Sequence, residues 1–381
     1  MKLSRRVNQF TEYAFSALLK KKAEVEKKTG RKVLDLSIGS PDFPPSKIYI
    51  KKLKEFLDEK TSHLYPGYGA IPELSKALQN WYKKRFGVEL KGNELYPLLG
   101  GKDGVSHLTF VLTDEGDEVL VPDPGYPAFS GSAIMIGTKP VLYDLTEKND
   151  FMIDLNQLAK KISKKTKFIW VNFPANPTGQ IIKLDELGKI VNFCRKYKIW
   201  LVYDNAYSEI TFDNHIAPSI LQVKGANKIA VEIGSFSKTL SFAGYRMGWV
   251  VGNDNVIKAL SRVKSQVDSG MSLAFQKLGA YSLNNYDVNW HKQMIESYEQ
   301  RADIIVDYLK RIGLDANKKL GSLYLWVRIP DSYKNSRTFV EDFLIKKQIL
   351  LAPGEFFGRN GKKYVRVSIC SNINNIEEYF I

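Results

Sequence analysis

Residues 198–210 read KIWLVYDNAYSEI, and residues 228–240 read KIAVEIGSFSKTL. Each stretch begins with a short run rich in Val, Ile, Leu and aromatic residues and then turns polar. Nearly continuous apolar runs of this length are typical of strands that are buried on both faces of a parallel sheet. We therefore predict strands at Trp200–Tyr203 and Ala230–Ile233, with a group of polar side chains directly after each.

The same pattern recurs through the middle of the chain. Helical patterns lie between the apolar runs, as at Leu155–Ser163 and Leu184–Tyr197. This alternation predicts an α/β fold whose large domain is a mostly parallel mixed sheet flanked by helices. The further strands predicted on this basis are Glu118–Val121, Lys139–Tyr143, Phe168–Asn172 and Trp249–Val251.

A smaller α+β unit is predicted after the large sheet. A long amphipathic helix at Tyr286–Ile312 leads to strands at Tyr324–Ile329 and Tyr364–Ile369, with helix Ser336–Lys347 between them. An N-terminal helix, about Ser4–Lys28, has no core of its own and is expected to pack on this unit. The predicted domains are an N-terminal arm with part of the small domain (1–45), a large domain (46–284) and the small C-terminal domain (285–381).

Composition and charge exclude several classes of protein. The chain has 381 residues, of which 44% are hydrophobic and 25% charged, so disorder is not its main state. Its two cysteines exclude a disulfide framework. The formal net charge is +15, but no nucleic-acid-binding motif accompanies it, so no nucleic-acid partner is expected. No apolar run approaches the ~18 residues of a membrane span. We therefore expect no membrane partner and a cytoplasmic location.

Polar residues of different kinds follow the predicted strands, where open α/β sheets bind their ligands. Pyridoxal phosphate needs a lysine for a Schiff base, an acid beside its ring nitrogen and a phosphate pocket. Lys238 suits the first role and Asp204 the second. The remaining candidates can hydrogen-bond the ring hydroxyl or the phosphate, and they are Asn176, Tyr207, Ser235 and Arg246.

A second phosphate-binding element is predicted at residues 100–104, which read GGKDG and precede a largely apolar stretch. A Gly-rich turn that opens a helix offers free N–H groups and a favourable dipole to an anion. Tyr126, in a proline-rich turn, could stack on an aromatic ring. Each candidate also has a purely structural explanation, since Asp204 could cap a helix and Arg246 could join an ion pair. Their combination at successive strand ends favours a cofactor site.

These motifs together resemble the class I/II aminotransferases, which are pyridoxal-phosphate enzymes of fold type I. The resemblance covers about residues 33–371, and within the family it is strongest to the branch of LL-diaminopimelate aminotransferase-like enzymes. The stretches that carry it are Ile38–Phe43, Tyr65–Pro66, Trp81–Val88, Val121–Pro127, Ala175–Gly179, Tyr203–Ile210, Ser235–Thr239, Gly244–Gly248 and Tyr364–Ser368.

The resemblance implies a role for each candidate around the cofactor. Lys238 would form the Schiff base and then move the substrate proton, and Asp204 would pair with the ring nitrogen. Asn176 and Tyr207 would bind the ring hydroxyl, and Tyr126 would stack on the ring. The phosphate would be held by Ser235, Arg246 and the backbone amides of Gly101 and Lys102, and Ser237 is a further cofactor-binding candidate.

The resemblance also implies how substrate and partner subunit are bound. Arg366 would clamp the substrate carboxylate with a bidentate hydrogen bond, aided by Asn176. Gly39 would let a flexible N-terminal segment close over the substrate. The enzyme would be a homodimer in which Tyr65 reaches the phosphate of the partner's site.

The implied activity is transfer of an amino group from an L-amino acid to a 2-oxo acid, with 2-oxoglutarate as the expected acceptor and LL-diaminopimelate or an aspartate-type amino acid as donor. One alternative is a β-lyase of cystathionine type, because one fold supports several reactions. A remote alternative is a non-catalytic, cofactor-sensing regulatory module. Such a module needs a DNA-binding domain, for which the first ~32 residues leave no room.

Overall fold

The computed structural model describes residues 3–10 and 15–380. Within the described residues, the α-helices are α1 (Phe15–Thr29), α2 (Lys47–Leu57), α3 (Pro72–Phe86), α4 (Gly101–Leu112), α5 (Pro127–Ile136), α6 (Leu155–Ala159), α7 (Leu184–Tyr197), α8 (Phe236–Thr239), α9 (Asp254–Lys264), α10 (Leu273–Asn284), α11 (Val288–Arg311), α12 (Ser336–Lys347) and α13 (Ile373–Tyr379). These helices pack against the sheets and, in the case of α2, α3 and α10, against one another.

The strands of the described chain form three sheets, and each strand is short. They are β1 (Leu34–Asp35), β2 (Leu95–Leu98), β3 (Glu118–Asp123), β4 (Lys139–Asp144), β5 (Thr166–Asn172), β6 (Trp200–Asp204), β7 (Ala230–Ser235), β8 (Gly248–Gly252), β9 (Tyr324–Arg328), β10 (Ile349–Leu350), β11 (Ala352–Pro353) and β12 (Tyr364–Ser368).

The large sheet has the strand order β2-β8-β7-β6-β5-β3-β4. Its neighbours pair in parallel except β8, which runs antiparallel to both β7 and β2. The predicted mixed, mostly parallel sheet is therefore correct, and all six predicted strands are present with ends shifted by up to two residues. The edge strand β2 was not predicted.

Alternate residues of the central strands face two separate hydrophobic clusters, as the period of two in a strand requires. Phe168 and Trp170 of β5 belong to one cluster, in which Trp170 stacks on Phe129 of α5 at 4.7 Å between ring centroids. Ile169 and Val171 belong to the cluster on the opposite face. Burial on both faces explains why the strands read as continuous apolar runs and holds their carboxyl ends rigidly in place.

The second unit is an antiparallel sheet of order β11-β12-β9, and α12 contacts it. The N-terminal region joins it, because β1 pairs in parallel with β10 and α1 contacts α12. The predicted helix over Ser4–Lys28 is wrong at its start. The α-helix begins at Phe15, residues 7–9 form a 3₁₀ turn, and residues 11–14 lie outside the described part. The division at residues 45 and 284 stays a prediction.

Two features are absent from the part of the chain that the structure describes. No helix there is long and apolar enough to cross a membrane. No group of three or more His, Cys, Asp or Glu residues there could hold a metal ion.

Candidate functional site

The carboxyl ends of β5, β6 and β7 bring the predicted residues together. Asn172, the last residue of β5, pairs with Asp204, the last residue of β6. The Asn172 amide donates to the Asp204 carbonyl at 2.9 Å, and its carbonyl oxygen accepts from the Asn176 N–H at 2.9 Å. Parallel strands end at one edge of the sheet, so consecutive loops converge there. This network fixes the positions of Asp204 and Asn176.

Lys238 lies on the short helix α8, directly after β7. Ser235 is the N-cap of this helix, and its hydroxyl accepts from the Ser237 N–H at 3.2 Å. The Lys238 Nζ donates to the Gly39 carbonyl at 3.0 Å. Burial lowers the pKa of Lys238 to about 8, and the positive charges of Arg366 and Arg246 act in the same direction. The unprotonated, nucleophilic form of this amine is therefore more populated near neutral pH than that of an ordinary lysine.

Asp204 is a buried carboxyl with an incomplete set of partners. The Ala206 N–H donates to its Oδ1 at 3.2 Å. Burial raises the pKa of Asp204 to about 6. Within residues 3–10 and 15–380, no basic side chain lies at ion-pair distance from it. A cationic group placed beside this carboxyl would offset the cost of burying its charge.

Arg366, on β12, is 6% exposed and is held by two neutral acceptors. One Nη donates to Asn176 Oδ1 at 3.0 Å, and the other donates to the Ser37 carbonyl at 2.6 Å. The Nε has no hydrogen-bond partner. None of the described acidic residues forms an ion pair with this guanidinium. A buried cation without a counter-ion is a strong indication that an anionic ligand binds there.

Tyr207, Tyr324 and Gly39 pack together beside Lys238. The two phenol oxygens are 3.1 Å apart, and the Tyr324 hydroxyl donates to the Gly39 carbonyl at 3.3 Å. Burial raises the pKa of Tyr207 well above its usual value, so its hydroxyl is protonated. A Cβ at Gly39 would lie 2.0 Å from the Tyr324 Oη, so this position has no room for a side chain.

The opposite end of the site combines the exposed guanidinium of Arg246 with buried or partly buried groups of Gly100, Gly101 and Ser235. Gly100, with φ of 88°, precedes α4, whose first residue is Gly101. Arg246 also has a positive φ, of 55°, and one Nη donates to the Ala243 carbonyl at 2.9 Å. Its other Nη lies 2.4 Å from where a Cβ of Gly100 would be. The guanidinium thus lies directly beside the N-terminus of α4.

A largely apolar groove of about 960 Å³ also lies at this end of the site. Lys102 and Arg246 line its end, and the Lys102 Nζ lies 5.9 Å from the ring centroid of Tyr126. Tyr126 is partly buried, and its ring lies edge-on to Phe129. The structure therefore places Tyr126 at the border between the exposed and buried ends.

Tyr65 is the one predicted site residue that is not brought to this cluster. Its side chain is 85% exposed. It makes no hydrogen bond or ring contact with any residue of the described ranges 3–10 and 15–380. Ser37 and Tyr324 are the reverse case, since both contact site residues and neither was a candidate. No local pattern indicates Tyr324, because its place diagonal to Arg366 depends on the register of β9 and β12, in which Arg366 lies opposite Trp326.

Comparison with known proteins identifies the protein family of this chain. Residues 31–379 match the model of the family described as aminotransferase class I and II. The chain belongs to this family. It is 36% identical over 374 residues to an LL-diaminopimelate aminotransferase of Halothermothrix orenii, covering 98% of this chain and 95% of that protein. A relative of the same name from Aquifex aeolicus is 37% identical over 367 residues, covering 96% and 94%.

Solved structures agree with this assignment. Substrate-bound BacF from Bacillus subtilis superposes with a TM-score of 0.92 and 29% identity, covering 100% of this chain and 96% of that one. A double mutant of Thermus thermophilus aspartate aminotransferase shares the fold, with a TM-score of 0.93, 23% identity, and coverage of 100% and 98%. The protein is a pyridoxal-phosphate-dependent aminotransferase of fold type I. The curated relatives are aminotransferases by name, which favours transfer over the β-lyase and regulatory hypotheses.

Proposed function

We propose that this aminotransferase moves an amino group from LL-diaminopimelate to 2-oxoglutarate. The observation that carries the reaction type is the buried Arg366, which has no counter-ion among the described residues and lies beside the Lys238 loop. The donor is inferred from relatives, because proteins 35–37% identical over nearly the whole chain are named LL-diaminopimelate aminotransferase. An aspartate-type amino acid is the second candidate donor.

The donor set of the site suits pyridoxal phosphate. When bound, this cofactor supplies an electrophilic carbonyl carbon and a ring that withdraws electrons from the substrate Cα. Lys238 would hold it covalently, and Asp204 would hold its ring nitrogen in the protonated form. Asn176 and Tyr207 would hydrogen-bond the ring hydroxyl, and Tyr126 would stack on the ring. The phosphate ligands would be Ser235, Ser237, Arg246 and the N–H groups of Gly101 and Lys102.

The remaining residues would bind and orient the substrate. Arg366 would take the α-carboxylate in a bidentate hydrogen bond, with Asn176 fixing the plane of the guanidinium. The Lys238 amine would remove the proton from the substrate Cα, a role that suits its lowered pKa of about 8. Gly39 would form part of the wall that covers the substrate, since its carbonyl already contacts Lys238.

We further propose a homodimer in which Tyr65 completes the phosphate site of the partner. Its 85% exposed phenol and the 63% exposed phenol of Tyr68 lie on one short segment without a covering element. The apolar groove beside Arg246 is a suitable surface for a second copy. Analytical ultracentrifugation should give twice the chain mass of 43.4 kDa. The cytoplasmic location stays a prediction, which fractionation of cells would test.

The proposed activity is tested by an absorption spectrum of the purified protein, followed by single amino acids. We expect a visible band that borohydride fixes onto Lys238, and bleaching of that band by LL-diaminopimelate. Glutamate should then form when 2-oxoglutarate is added. If aspartate bleaches the band and LL-diaminopimelate does not, the proposed donor is wrong. Ammonia and pyruvate released from cystathionine without an acceptor would instead establish the β-lyase.

A further inference from the structure

We propose that Tyr324 is a positioning residue that holds Arg366, Tyr207 and the Gly39 segment in one fixed arrangement. This proposal rests on the proposed function, because the three groups are those that would contact substrate and cofactor. Tyr324 itself lies behind them. No role was predicted for it from the sequence, and its contacts alone lead to the inference.

The position of Tyr324 follows from the small sheet. It is the first residue of β9 and lies opposite Ser368 of β12, so it is the diagonal neighbour of Arg366 on the same face. Its side chain is 5% exposed. The N-terminal segment joins the same sheet, because the Ser368 N–H donates to the Leu36 carbonyl at 2.8 Å. Three parts of the chain therefore meet at this ring.

The ring of Tyr324 contacts the cation. The Arg366 guanidinium carbon lies 4.1 Å from the Tyr324 ring centroid and 4.6 Å from that of Phe357. A desolvated guanidinium close to aromatic faces is stabilised and restricted in orientation. Because the two Nη groups already bind Asn176 and Ser37, the ring contributes the remaining support for the plane in which a carboxylate would be clamped.

The hydroxyl of Tyr324 links two other groups. It has one proton, which it donates to the Gly39 carbonyl at 3.3 Å, and it lies 3.1 Å from the Tyr207 oxygen. With its proton directed to Gly39, it can only accept from Tyr207. The Gly39 carbonyl also accepts from Lys238 at 3.0 Å. The Gly39 carbonyl oxygen thus aligns both the Tyr324 phenol and the Lys238 amine.

The close fit of Gly39 against the ring makes the arrangement rigid. A Cβ there would lie 2.0 Å from the Tyr324 Oη and 2.1 Å from Cε1. The backbone of the Gly39 segment therefore rests directly on the phenol. Gly39 does not have a positive φ, so its backbone conformation does not require a glycine. The lack of space beside the Tyr324 ring does, and we infer that Gly39 serves tight packing instead of chain flexibility.

Two variants separate the ring from the hydroxyl. Tyr324→Phe keeps the ring and removes both hydrogen bonds. We expect kcat to fall about 5-fold, with KM for the amino donor changed less than about 2-fold. Tyr324→Leu also removes the aromatic face, so KM should rise about 10-fold in addition. If KM is the same in both variants, the ring does not position Arg366 and the proposal is overturned.

Hydrogen exchange of the cofactor-free protein gives a test that is independent of the substrate. In Tyr324→Phe, the amides of residues 36–42 should exchange at least about 5-fold faster than in the unsubstituted protein. Faster exchange supports the proposal even if LL-diaminopimelate is not the donor. Unchanged exchange in this segment overturns it, whatever the activity. Gly39→Ala, which pushes the ring from the other side, should accelerate exchange in the same amides.

A matched control removes another buried phenol oxygen. Tyr143, on β4, is 3% exposed and donates to the Trp170 carbonyl at 2.7 Å. Tyr143→Phe should lower stability to a similar degree as Tyr324→Phe, yet leave KM, kcat and exchange of residues 36–42 unchanged. If Tyr143→Phe produced the same kinetic changes, the effects of Tyr324→Phe would reflect general loosening, and the positioning role would be rejected.

Discussion

The two ends of the site are built in opposite ways. At the Arg366 end, side chains are buried, and each is tied to another part of the same chain; Arg366 itself is 6% exposed. At the Arg246 end, the guanidinium is exposed, although Ser235 and Ser237 are buried. The contrast lies in the two guanidinium groups, since contacts within the chain bury that of Arg366, whereas that of Arg246 is left exposed to solvent.

Substituting Lys238, which lies between the two ends, should have the largest effect. Lys238→Ala should lower kcat by at least about 10³-fold, because both covalent attachment and proton transfer would be lost. Steady-state kinetics and mass spectrometry after borohydride reduction measure the two losses. Lys258, an exposed lysine on α9, provides the control, and Lys258→Ala should keep full activity. Substantial turnover by Lys238→Ala would refute the proposed site.

At the buried end, Arg366→Leu should lower kcat/KM by about 10²–10³-fold, because it removes a charged bidentate hydrogen bond. Arg366→Lys keeps the charge but loses the planar fork, so it should recover only part of this loss. Kinetics with several amino donors test whether the loss is common to all, as expected for an α-carboxylate contact. The control is Arg328→Leu, at an exposed residue of β9, which should keep kcat/KM near the value of the unsubstituted protein.

Asp204 should make the stability of the cofactor-free protein pH-dependent. Its folded pKa of about 6 lies above the ordinary value of 3.8. The carboxyl therefore binds its proton more tightly in the folded state, and its contribution to stability is full below pH ~4 and is lost as the pH rises through 6. Because the pKa of Asp204 is raised by roughly 2, the free energy of unfolding should fall by about 3 kcal/mol across this pH range.

Urea unfolding of Asp204→Asn, which has no charge to bury, should lack this decline between pH 4 and pH 6. The exposed Asp254 on α9 offers the matched control, because Asp254→Asn should retain the pH dependence of the unsubstituted protein. Identical pH profiles for the protein and Asp204→Asn would mean that Asp204 is ionised at no cost in the fold.

At the exposed end, Arg246→Gln should have the smallest effect. We expect cofactor affinity to fall about 10-fold and the free energy of unfolding of the cofactor-free protein to stay within about 0.5 kcal/mol, because an exposed side chain contributes little to the fold. Fluorescence titration and urea unfolding measure these values. Arg262→Gln, an exposed arginine lining the same groove, should not change the affinity. A large loss of stability in Arg246→Gln would erase the distinction between the two ends.

The sequence allowed the large sheet and much of the site to be predicted for a physical reason. Buried parallel strands such as β5 and β6 are continuous apolar runs, and the residues after them meet at one edge whatever the loops do. The edge strand β2 was missed, because its four residues include Pro97 and resemble a loop. The contact of Arg366 with Ser37 was also not predictable, since it depends on how distant segments pack.

Tyr324 is another residue whose role could not be predicted from the sequence. Its strand was predicted, but its function depends on the register between β9 and β12 and on the approach of Gly39, neither of which a local pattern contains. The predicted role of Tyr65 depends on a second chain. Local patterns thus locate residues that follow strands, while contacts across the molecule require the tertiary structure.

The pairing of β1 with β10 has a consequence for biosynthesis. Leu34 and Ile349 are more than 300 residues apart along the chain, yet they are neighbours in one two-stranded sheet. Closing so long a loop is entropically costly and slow. During translation, the large sheet can assemble before β10 and β12 have left the ribosome. Until then, Ser37 and Gly39 cannot take up their final positions. An incomplete polypeptide that lacks β10 and β12 would therefore carry Lys238 without the complete wall that surrounds it.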